Sequence, residues 1–153
     1  RRYDTWPGAH QTSEPRPSYR ILLAEDNPIN QKLYVRLLES RGHHVDAVGD
    51  GAAAVRAWHS GSYDVVLMDL QMPELDGFSA TRTIRLHEGN TGRHVPIIAL
   101  TAHAVEGTRE RCLAAGMDDY LAKPIDSEVL MRTIERLAVV PRGESSPEPA
   151  STR

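Results

Sequence analysis

The chain has 153 residues, enough for one domain with a proper core and little else. Apolar residues make up 40% and charged residues 25%, an ordinary globular balance, and a net charge of −3 gives no reason to expect direct nucleic-acid binding. The single cysteine, Cys112, excludes an internal disulfide and fits a reducing cytoplasm, and no apolar run reaches the roughly 18–20 residues needed to cross a bilayer.

Residues 1–18 carry Pro7, Pro15 and Pro17 among Arg, Ser and Thr without an apolar period, and residues 140–153 are similar. Both read as flexible tails or linkers flanking one domain at 19–139. No signal peptide is visible, and the start at Arg1 rather than Met reads as a piece of a longer protein or a processed form. Within 19–139, Ile21–Ala24 is a short buried-strand pattern. Pro28 suits the first position of a helix after Asn27; Ile29, Leu33 and Leu37 follow at four-residue spacing beside Leu38, and Gly42 closes the helix. Val45–Val48 reads as a second strand, and Asp50 caps a helix carrying Val55 and Trp58. Val65–Met68 is a third strand. A turn with Pro73 and Gly77 leads into a helix through Phe78 and Ile84. Val95–Leu100 is a fourth strand, followed by a helix ending near Gly116, where Cys112 is a packing residue. Tyr120–Ala122 is a fifth strand. Asp126 caps a last helix with Val129, Leu130, Ile134 and Leu137 on one face.

Five strand–helix units in this length predict an α/β fold with a parallel sheet, and strands of continuous Val, Ile and Leu predict burial on both faces. Right-handed crossovers then place helices on both sides, with the ligand site outside the carboxyl ends of the strands.

Those ends carry the chemistry. Strand one runs into Glu25 and Asp26, strand three into Asp69, strand four into Thr101 and strand five into Lys123. In a parallel sheet all lie on one edge. Two carboxylates about 4 Å apart repel by roughly 4 kcal/mol at an effective dielectric near 20, so three acids with one lysine call for a further cation. Hard oxygen donors suit Mg²⁺, with Mn²⁺ a near substitute, and a metal with open positions suits phosphoryl chemistry at a carboxylate nucleophile. Asp69 ends the central apolar strand before a Pro/Gly turn and is the candidate nucleophile. Glu25 and Asp26 are adjacent and cannot point the same way on an extended strand, so one binds metal directly and the other acts through water. Each residue taken alone has an ordinary structural reading, such as a helix cap, a turn acid or a surface lysine; their joint placement points to a site.

The acidic pair Glu25–Asp26, Asp69 within MDLQMPELDG, Thr101 within ALTAHA, and Lys123–Pro124 three residues after Tyr120 resemble the receiver domains of two-component response regulators. The stretch Glu25–Gln31 (EDNPINQ) resembles the receivers of hybrid sensor histidine kinases in particular. The resemblance implies a flavodoxin-like, doubly wound (βα)5 fold with strand order 2-1-3-4-5. It implies that Asp69 accepts a phosphoryl group from a phosphohistidine. Asp26, Asp69 and the backbone carbonyl of Gln71 would bind Mg²⁺ directly, with Glu25 acting through water. Lys123 pairs with Asp69, Thr101 donates its hydroxyl to the phosphoryl group, and Ala102 supplies the small residue that follows. Tyr120 turns inward and reshapes the face of the fourth helix, fifth strand and fifth helix, a possible homodimer surface. Lys123–Pro124 is expected as a cis peptide. Gln71 and His103, two residues beyond Asp69 and Thr101, are expected to tune dephosphorylation.

The implied role is a phosphorelay switch that catalyses only its own phosphorylation and dephosphorylation. Its partner would be a kinase's dimerising His helix or a histidine phosphotransfer protein, in a parent chain that can itself be membrane-anchored. An aspartyl phosphatase of the dehalogenase type needs Asp-x-Asp, whereas Asp69 is followed by Leu70–Gln71, and no span is left for a substrate cap. A flavin module would need a phosphate loop where Glu25–Asp26 would repel phosphate. A non-phosphorylated scaffold receiver is disfavoured by the intact acid set.

Overall fold

The computed structural model describes residues 17–72, 75–89 and 91–138. The expected tails, apart from residues 17–18, and Pro73 of the expected turn lie outside the described residues. In chain order the elements are β1 Arg20–Ala24, α1 Pro28–Ser40, β2 His44–Val48, α2 Gly51–Ser60, β3 Val65–Asp69, α3 Gly77–Glu88, β4 Ile97–Thr101, α4 Thr108–Ala115, β5 Asp119–Ala122 and α5 Ser127–Leu137. The five strands form one sheet in the order β2-β1-β3-β4-β5, and every pairing is parallel.

Local chemistry accounts for most helix ends. The Asn27 side chain accepts from the amides of Ile29 and Asn30, with Pro28 at the first helical position. Asp50, Asp76 and Asp126 do the same for α2, α3 and α5. The α1 helix is followed by Gly42 at φ +92° and α4 by Gly116 at φ +105°, the left-handed conformation that favours glycine after a helix.

The pleat divides the core into two faces. Leu22, Ala24, Val66, Met68, Ile97 and Ala99 pack on Ala54 of α2, Ala80 and Ile84 of α3, and Cys112 of α4. Ile21, Leu23, Val65, Leu67, Ile98 and Leu100 pack on Tyr34 and Leu38 of α1 and on Leu130, Met131 and Ile134 of α5. Thus α1 and α5 cover one side and α2–α4 the other, and β1, β3 and β4 are buried on both faces.

Two apolar stripes differ from expectation. On α1 the buried residues are Tyr34 and Leu38, while Ile29 and Leu33 are 76% and 58% exposed. Tyr34 and Leu38, four residues apart, form the face that α1 turns to the sheet, and Ile29 and Leu33 lie outside it. On α5 the buried set is Leu130, Met131, Thr133 and Ile134, and Val129 lies at the exposed rim. Among the histidines described, His43 is the buried one. Its ring stacks on Tyr19, its Nδ1 accepts from the Tyr19 amide at 3.2 Å, and burial pushes its pKa down.

Candidate functional site

Apart from Tyr120, which lies within β5, the predicted site residues lie at the carboxyl edge of the sheet. The register sets Ala24 beside Met68, Asp69 beside Leu100 and Thr101 beside Ala122, so the residues ending β1, β3, β4 and β5 share one rim. Glu25 directly follows β1 and is almost wholly buried; Asp26, next in the chain, is exposed. Asp69 is the last residue of β3 and is buried. Carboxylate oxygens of Glu25, Asp26 and Asp69 all lie within 4.8 Å of one another, and this is the one cluster of three possible metal-ligating side chains among the described residues. The donor set is all oxygen, which fits a hard divalent cation.

Lys123 follows β5 and reaches into this cluster. Its Nζ donates to Glu25 Oε1 at 3.0 Å and to Asp69 Oδ2 at 3.1 Å. The bond to Glu25, across 98 residues of chain, is one that sequence reasoning missed. Burial holds the Glu25 carboxyl above its usual range, although Lys123 and the Asn27 amide pull it down, and the Asp69 charge adds to the rise. For Lys123, burial favours the neutral amine, but its contacts with Glu25 and Asp69 outweigh burial and hold it above the ordinary lysine range. One ammonium thus serves two buried carboxylates while Asp26 stands beside them, leaving the site short of positive charge.

The backbone around the acids is braced. The Asn27 amide donates to Glu25 Oε2 at 3.1 Å, and Gln31 Nε2 donates to the carbonyls of Glu25 (2.8 Å) and Val48 (3.1 Å). The Gln71 amide donates to Asp69 Oδ1 at 3.0 Å. Gly77 lets the start of α3 close against β3: a Cβ there would stand 2.4 Å from the Asp69 carbonyl oxygen. The amide of Lys123 donates to the Thr101 carbonyl at 2.7 Å, tying β5 to β4, and the Lys123–Pro124 peptide is cis.

Thr101 is buried, and its Oγ1 accepts from the His103 amide at 3.0 Å; Ala102 beside it is exposed. Gln71 Nε2 and His103 Nδ1 are hydrogen-bonded at 3.1 Å, which requires Nδ1 to be the unprotonated ring nitrogen. The pair lies on the rim of a cleft of about 210 Å³ whose lining includes Thr101, Asp76, Phe78 and Arg111. The Arg111 guanidinium sits 4.8 Å from the Phe78 ring centroid. Nothing in the sequence pattern marked Arg111, because the contact joins two helices that only the fold brings together. Tyr120 lies in β5, half-buried, packed against the α2–α4 side of the core.

Comparison with known proteins gives this rim a family. The model of the response regulator receiver domain matches residues 21–135. The chain belongs to that family. The curated relatives it matches include histidine kinases. It is 46% identical over 120 residues to hybrid signal transduction histidine kinase I of Dictyostelium discoideum, covering 75% of this chain and 7% of that protein. It is 41% identical over 125 residues to the signal transduction histidine-protein kinase BarA of Escherichia coli, covering 82% and 13%. The chain therefore spans a small fraction of the length of these relatives. Among solved structures, the receiver domain of a sensor histidine kinase from Pseudomonas aeruginosa, crystallised with a magnesium ion coordinated in its active-site cleft, is 51% identical with a TM-score of 0.72. That match covers 80% of this chain and 98% of the other. A Saccharomyces cerevisiae receiver domain co-crystallised with a histidine phosphotransfer protein is 30% identical with a TM-score of 0.76, covering 82% and 92%. The protein is a receiver domain of the kind used in two-component and phosphorelay signalling, with the flavodoxin-like fold. Among the described residues no helix is long and apolar enough to cross a membrane.

Proposed function

We propose that this receiver accepts a phosphoryl group on Asp69 from a phosphohistidine in a Mg²⁺-dependent reaction. The observation that carries the reading is the convergence of Glu25, Asp26, Asp69 and Lys123 on one rim beside Thr101. In the transfer, an Asp69 carboxylate oxygen bonds to phosphorus while the phosphorus–nitrogen bond of the donor breaks, and the imidazole leaves with its electron pair. Asp26, Asp69 and the Gln71 carbonyl would hold the metal, with Glu25 acting through water; Mn²⁺ has the same oxygen preference. When bound, the metal supplies charge neutralisation for the phosphoryl oxygens.

The chain's own groups do the rest. Lys123 Nζ bonds the Asp69 carboxylate and would hold a phosphoryl oxygen once it arrives. The Thr101 hydroxyl would turn from the His103 amide toward the new oxygens, and Ala102 leaves room for them. The phosphoryl group adds about −1.5 to −2 charge, enough to bias two packings of the α4–β5–α5 face. Tyr120, only half-buried, would report that change, and the same face is the candidate homodimer surface. The structured unit is taken as 19–139 with linkers on either side. The donor would be a histidine phosphotransfer protein or a kinase's dimerising His helix, as supported by the co-crystallised yeast relative and the hybrid-kinase relatives.

Incubation with acetyl phosphate, with and without Mg²⁺, followed by intact mass measurement tests the proposal. One added phosphoryl group is expected only with the metal, and none in Asp69→Asn. Uptake that persists in Asp69→Asn, or no uptake from any phosphodonor, would overturn it.

A further inference from the structure

The opposite edge of the sheet carries a second group of potential ligands that the phosphoacceptor site does not use. The helices α2 and α3 lie on the same face of the sheet and run against the strands, so their carboxyl ends meet at the amino edge. There, His59 of α2 and His87 of α3 face each other with ring centroids 5.7 Å apart and planes at 68°. Trp58 contacts both, at 6.2 Å from each ring. The three residues line a cleft of about 390 Å³ with Tyr63 and His94.

The protonation pattern is set by a neighbour. His87 Nδ1 lies 2.9 Å from the Thr83 carbonyl oxygen. A carbonyl only accepts, so Nδ1 carries the proton and Nε2 keeps its lone pair. A ring held by an Nδ1–H···O=C bond is the arrangement that orients metal-ligating histidines and raises their basicity. His59 is exposed and, among the described residues, has ring contacts but no hydrogen-bond partner, so its nitrogens are available. Two imidazoles on one tetrahedral Zn²⁺, each at about 2.0–2.1 Å, place their ring centroids roughly 5–6 Å apart. The observed centroid spacing of 5.7 Å falls within that range. His94, in the same cleft, is held through Nε2 by Asp118 Oδ1 at 2.8 Å. Glu88 is held by Arg85 and by the Val95 amide. Glu88 has both carboxylate oxygens engaged, and His94 keeps Nδ1 but, among the described residues, makes no ring contact with the pair, so water would complete the coordination.

We propose that His59 and His87 form a binding site for a borderline transition-metal ion, Zn²⁺ or Cu²⁺, bridging the ends of α2 and α3. The site is chemically distinct from the oxygen-only rim at Asp69: imidazole selects Zn²⁺, Cu²⁺ and Ni²⁺, whereas Mg²⁺ takes oxygen. Binding to the folded pair stabilises the contact between the two helices.

Calorimetric titration of the untagged chain with Zn²⁺, with Mg²⁺ in large excess to occupy the acidic rim, tests the proposal. One Zn²⁺ per chain is expected. His59→Ala and His87→Ala should each weaken it by about 10–100-fold, the loss that removal of even an outer-shell partner brings, while His94→Ala leaves it unchanged. Thermal melting confirms that each variant is folded. As a second readout, Cu²⁺ should quench the Trp58 emission in the wild type and not in His59→Ala or His87→Ala. Absence of Zn²⁺ binding, wild-type affinity in the His59 and His87 variants, or binding lost only in Asp69→Asn would overturn the assignment.

Discussion

Replacing Lys123 with Met removes the one ammonium that serves two buried carboxylates. In the wild type its Nζ lies 3.0 Å from Glu25 and 3.1 Å from Asp69, and the Lys123, Glu25 and Asp69 side chains are 16%, 1% and 6% exposed. Without it, carboxylate oxygens within 4.8 Å of each other repel by about 3.5 kcal/mol at an effective dielectric near 20. Breaking a buried ion pair by removing one partner costs about 3–5 kcal/mol by a separate route of measurement. The two figures agree, so metal-free Lys123→Met should be about 3 kcal/mol less stable in urea melts run with chelator. The sign of the pH effect follows from Glu25. Its folded pKa is already raised by burial and rises further without Lys123, so protonation relieves the variant. The deficit should shrink as pH falls toward the carboxylate range and grow as pH rises through the folded Glu25 pKa. The same loss of positive charge should tighten Mg²⁺ binding, because the divalent ion then meets an uncompensated acid trio. The gap in stability should therefore narrow in Mg²⁺. Phosphoryl uptake should fall despite tighter metal binding. A variant as stable as wild type in chelator, or one that binds Mg²⁺ more weakly, would refute the charge-balance account.

Gly77→Ala should destabilise the fold by about 1–3 kcal/mol, the ordinary range for overpacking, since its Cβ would meet the Asp69 carbonyl at 2.4 Å; a denaturant midpoint equal to wild type would count against that close approach. Gln71→Ala and His103→Ala each remove one partner of the 3.1 Å bond beside Thr101. Each should change the lifetime of the aspartyl phosphate, timed by loss of the added mass, and unchanged lifetimes in both would dismiss the tuning role. His43 is buried with a lowered pKa, so it favours the fold when neutral. That contribution is present above the ordinary histidine pKa of about 6.5 and is lost as pH falls through the lower folded value. Wild type should thus lose more melting temperature than His43→Phe between neutral and mildly acid pH, and parallel pH profiles would contradict it.

The acidic rim was legible as a set of residue types at strand ends, and its detailed contacts were not. Asp69, Thr101 and Lys123 each follow an apolar run, and parallel strands must bring such ends to one edge. The Glu25–Lys123 bond could not be read the same way. It joins residues from strands that are not neighbours in the sheet, across β3 and β4, and depends on how far a lysine reaches over the rim. The exposed stripe on α1 shows a related limit. Ile29 and Leu33 share a helical period with Leu37, yet Leu37 packs at the edge of the core with Tyr34 and Leu38, and only the packing against the sheet selects which are covered.

What the amino-acid sequence determined by itself is the alternation of elements and most of their ends. Asn27, Asp50 and Asp126 cap helices through bonds to amides two or three residues away, and such short-range chemistry is written locally. Tertiary structure alone decided which acid shares the lysine, which face of α1 is buried, that Gln71 meets His103, and that His59 meets His87. Each of these joins side chains on separate elements, and their meeting depends on sheet order, crossover hand and helix rotation acting together.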